Sequence, residues 1–152
     1  MSKDSASNFV ENILIILSNL PAGLRNTILK KRLNEFNDFD QPEKKEIINN
    51  ILKNYGKIER FKILNLFESW LNSLSEMDSS SINSIFNSYL FELYLNPNEL
   101  KDFDNSFILS LVKLLNDLPE NKRDKLWNCF MESILNTPDP KKFINLLPNL
   151  NK

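Results

Sequence analysis

There is no histidine in these 152 residues, and Cys129 is the single cysteine. The first absence excludes imidazole metal ligands and every nucleophile relay that needs a histidine base. The second excludes an internal disulfide. Glycine is confined to Gly23 and Gly56, alanine to Ala6 and Ala22, and valine to Val10 and Val112. Two isolated glycines cannot build a phosphate-cradling loop. A sheet protein of this length draws on more β-branched residues and more turn glycines. Apolar runs are short as well: the longest spans 13–17, far below the length that crosses a bilayer. The N-terminus places acidic residues before a brief apolar stretch and offers no small-residue cleavage site, which predicts no secretory leader. No asparagine stands in an Asn-X-Ser/Thr acceptor. Together these features predict a cytoplasmic protein with no membrane span, no metal and no cofactor.

What is present is leucine and isoleucine at helical spacing, within an ordinary balance of 41% apolar and 26% charged residues. The chain reads as all-α: 1–7 a flexible lead, 8–147 a single helical domain of about seven main helices and a short terminal one, and 148–152 a tail. A first helix runs from a cap at Ser7 or Asn8 to Leu20, with Ile13, Ile16, Leu17 and Leu20 on a stripe wide enough to be buried on most sides. Pro21 stops it. The second, 22–36, carries Leu24, Ile28, Leu29, Leu33 and Phe36 on one face. Asp40, Pro42 and Glu43 form a restart signal with capping-box spacing. The third helix carries Ile47, Ile48, Ile51, Leu52 and Tyr55 and is expected to end on Gly56 as its C-cap. The fourth covers 58–74 and includes Phe61, Phe67 and Trp70. A break at 75–81 precedes the fifth, 82–95. Asp104 caps the sixth, 107–118, and Pro119 opens the seventh, which ends near Leu135. Asp139 and Pro140 start the short last helix.

A motif recurs along this pattern. Ile16-Leu17-Ser18-Asn19, Ile51-Leu52-Lys53-Asn54 and Leu114-Leu115-Asn116-Asp117 each read apolar, apolar, X, Asn or Asp. Six residues beyond each Asn or Asp stands an arginine: Arg25, Arg60 and Arg123. A fourth copy at Leu93-Tyr94-Leu95-Asn96 is degraded, because Asp102 occupies the arginine position. Such a unit is a helix, a tight turn and a returning helix, and stacked units share a core that none could form alone. The motif resembles the HEAT repeat, whose units are helical hairpins with an Asp near the turn and an Arg at this spacing. That resemblance implies stacked antiparallel hairpins over 9–36, 44–74 and 107–135, in a compact α-α superhelix, with the arginines as ladder contacts between units. The sequence departs from it where the second helices hold Lys31, Trp70, Cys129 and Phe130 in place of small residues, and in its copy spacings of 35, 42 and 21 residues.

No constellation here carries recognisable chemistry. Cys129 lies among apolar neighbours and reads as a small buried hydrophobe. Trp70 and Trp127 read as core, although Trp70 falls a little off the Leu64–Phe67–Leu71 stripe, which leaves half exposure open. The close carboxylate pairs, Glu43 with Glu46 and Asp102 with Asp104, sit at helix starts, where the dipole favours them. Charge is unevenly distributed: ten Lys and Arg against six Asp and Glu over 24–65, two against nine over 66–121, and six against three over 122–152. Arg25, Lys30, Lys31 and Arg32 make the one cluster that could hold an anion. The fifth helix has more large apolar residues than one buried stripe can use. Its Tyr89, Phe91 and Tyr94, bordered by Glu92 and Glu99, are therefore expected to face a partner. The resulting reading is a non-enzymatic, helical-repeat protein-binding module whose partner is another protein or its own copy. A nucleic-acid-associated module using 25–32 is the first alternative, and a carboxylate-based enzyme the second.

Overall fold

The computed structural model describes residues 3–96 and 105–145. Among them are eight α-helices, one 3-10 turn and no strand. The helices are α1 (Lys3–Asn19), α2 (Ala22–Asn37), α3 (Gln41–Asn54), α4 (Arg60–Ser75), α5 (Ser79–Leu95), α6 (Asn105–Asn116), α7 (Glu120–Leu135) and α8 (Pro140–Ile144). Leu20 and Leu118 both fall in the breaks between helices, where the prolines that follow them put them. The Asp104 cap lies outside the described residues.

Local signals account for most boundaries. Asp40 accepts from the Glu43 backbone N–H at 2.9 Å and opens α3, with Pro42 in its first turn. Beside it, the Asp40 carboxylate holds the Glu43 carboxyl above its usual range. Four expectations are corrected. Residues 3–7 belong to α1. Gly56 is no left-handed cap: α3 tightens into a 3-10 turn at Tyr55–Lys57, and neither glycine has a positive φ. The break before α5 is only residues 76–78, because Asp78 accepts from the Ser81 N–H at 2.7 Å and draws Ser79, Ser80 and Ser81 into the helix. Asp139 precedes α8 without capping it through its side chain.

The cap at Asp78 carries a pH signature. The Ser81 backbone N–H, then the Ser81 side chain, and more weakly the Lys125 charge, hold its carboxyl below the usual aspartate value. A depressed folded-state pKa contributes stability that is complete above the unfolded value, about 3.9, and is lost as the pH falls through the lower folded value. Asp78→Asn keeps an acceptor at the cap but cannot titrate. The variant should therefore melt below the wild type at pH 6, and the gap should narrow progressively as the pH is lowered below about 3.9. A gap of constant size would show that the charge contributes nothing.

Two compact units emerge, Met1–Leu74 and Ser75–Lys152. In the first, α1 packs chiefly on α3. Its core holds Leu17, Leu33, Phe36, Ile48, Leu52, Tyr55, Ile63 and Leu74. Lys44 is buried with its ammonium 5.7 Å from the centre of the Phe36 ring, so its stem and charge both serve the core. The expected stripes are narrower than the periodicity implies. Ile16, Leu24 and Phe61 are exposed, and α1, with Ile15 and Ile16 open to solvent, is not buried on most sides.

In the second unit α5 and α7 form the main seam, and α6 and α8 pack on α7. Their side-chain bonds fix the direction. Lys125 Nζ donates to the carbonyls of Ser75 and Met77, Cys129 Sγ approaches the Ser79 carbonyl at 3.8 Å, and Ser133 Oγ donates to that of Asn83 at 3.5 Å. Each step of four along one helix matches a step of four along the other, so α5 and α7 run parallel. Cys129 and Ser133, the α7 residues at two of these crossings, are small and buried, which lets the backbones approach. Phe86 meets Phe130 edge-on at 5.5 Å further along. At the far end Leu90, Ile134 and Phe143 close the core.

Candidate interaction surface

The fifth helix is divided by its packing. Ile82, Ile85, Phe86 and Leu90 face the core, together with Glu92. Residues one face round, Ser84, Ser88, Phe91 and Leu95, follow each other at helical intervals of four, three and four. Ser88 turns its hydroxyl back to the Ser84 carbonyl at 3.0 Å, so the start of this face is polar and satisfied. Its end is apolar: Phe91 is 47% exposed and Leu95 46%.

Only part of the expected partner face is therefore on the surface. Phe91 is exposed as expected. Tyr89 is half-buried, and desolvation pushes its hydroxyl well above the usual phenol range. Tyr94 is half-buried against the Leu90, Ile134 and Phe143 cluster, with Lys142 Nζ 5.1 Å from its ring centre and donating to its carbonyl at 3.4 Å. Glu92, expected as an acidic border, is 4% exposed and is no rim residue. Helical geometry explains this: Glu92 falls on the same side as Ile85, two turns earlier, so it follows that residue inward. Glu99 lies outside the described residues. Leu95 belongs to the exposed pair, and its register with Phe91 is visible in the sequence as an i, i+4 spacing.

The basic cluster is also divided. Arg25 is 8% exposed; its Nε donates to Ser69 Oγ at 2.7 Å and its Nη1 to the Leu20 carbonyl at 2.8 Å. It is an internal tie between α2 and α4 and cannot join a surface anion site. Lys30, Lys31 and Arg32 are exposed, but at about 100° per residue they point away from one another. Arg32 is already paired with Glu35 at 3.0 Å.

Two of the motif carboxamides bond within their own helices. Asn19 Nδ2 donates to the Ile15 carbonyl and Asn54 Nδ2 to that of Asn50, each within its own helix. Arg123 meets the adjacent Asp124 at 3.4 Å, and Asn116 Oδ1 accepts from Trp127 Nε1 at 3.0 Å. Trp127, expected in the core, is half-buried, and so is Trp70, which stands a little off its stripe. Cys129 is buried as expected. Among the described residues no group of three His, Cys, Asp or Glu side chains could hold a metal ion, and no helix is long and apolar enough to cross a membrane. Compared with protein-family models, curated proteins and solved structures, the chain has no match in any of the three.

Proposed function

We propose that this is a non-enzymatic helical module, built of HEAT-like hairpins, that binds another protein through the outer face of α5. The observation that carries the reading is the pair Phe91 and Leu95. Two large apolar side chains one turn apart, both about half exposed, stand at the end of a helix whose opposite face is fully committed to the core. Covering such a pair removes apolar area from water at no cost in buried polar groups. The inward Arg25 weakens the nucleic-acid alternative, since the basic stretch then lacks its fourth member and any convergent geometry.

Phe91→Glu is the direct test. Its side chain is exposed, so far-ultraviolet circular dichroism should be unchanged. Capture of a partner by the purified chain should fall by at least about tenfold, the effect of putting a charge into an apolar contact. Ser84→Glu, two turns back on the polar part of the same face, should have a much smaller effect. Equal capture by Phe91→Glu and wild type would reject this surface.

A further inference from the structure

We draw no further inference here: the strongest candidate, the exposed apolar patch of Met131 and Leu135 at the end of α7, carries none, because nothing in the structure shows what covers it.

Discussion

Replacing Ile134 by alanine is expected to destabilise the second unit by about 2–5 kcal/mol, whereas the same change at the adjacent Leu135 should stay within about 0.5 kcal/mol. The two residues are consecutive and similar in size, but Ile134 is 0% exposed and Leu135 is 67% exposed. Ile134 sits where α5, α7 and α8 meet, in contact with a cluster that includes Leu90 and Phe143. Its truncation removes three carbons from a site enclosed on all sides, leaving a cavity that the surrounding helices close only in part. A second consequence follows from α8, which has five residues. A helix so short has no stability of its own and depends on Phe143 seated against that cluster. Urea unfolding followed by Trp127 fluorescence, in a Trp70→Phe background, reads this unit directly. Similar losses at the two positions would mean that the packing of α7 has been misassigned.

The second large effect is expected at Arg25. Arg25→Ala should cost about 2–3 kcal/mol, since hydrogen bonds to a charged group contribute more than neutral ones and both acceptors are left behind. Those acceptors are Ser69 Oγ and the Leu20 carbonyl, one across on α4 and one in the turn before α2. The planar guanidinium serves them in two directions at once. Arg25→Lys offers one mobile ammonium in its place and should recover less than half of the loss. Arg32→Ala, at an exposed i, i+3 pair, should change stability by no more than about 0.5 kcal/mol. Unfolding followed by Trp70 fluorescence, with Trp127 replaced by Phe, separates these cases. An Arg25→Ala variant as stable as Arg32→Ala would show that the internal tie carries no net free energy.

Which features the sequence determined, and which it left open, divides along the range of the interactions involved. Helical class, the cap at Asp40, the stop at Pro21 and the start at Pro119 depend on contacts within about four residues, and the chain states them in its own order; the Asp78 cap is equally local, but a reading of 75–81 as one break passes over it. The exposed register of Phe91 and Leu95 is of the same kind, once the inward side of α5 is known. Tertiary structure decided the rest. Arg25, Arg60 and Arg123 occupy equivalent places in the motif, yet Arg25 is buried with its Nε on Ser69 Oγ of α4, Arg60 is exposed and Arg123 lies between, beside Asp124. Ile16, Leu24 and Phe61 share their stripes with core residues, but a stripe wider than its partner helix leaves its margin in water. Glu92 looks like a border charge in one dimension and lies on the packed side of α5 in three. The parallel seam of α5 and α7 joins residues 44 to 50 positions apart. No local pattern encodes that choice of partner; it is made by which pair of helix faces closes over the most apolar surface with the fewest unsatisfied groups.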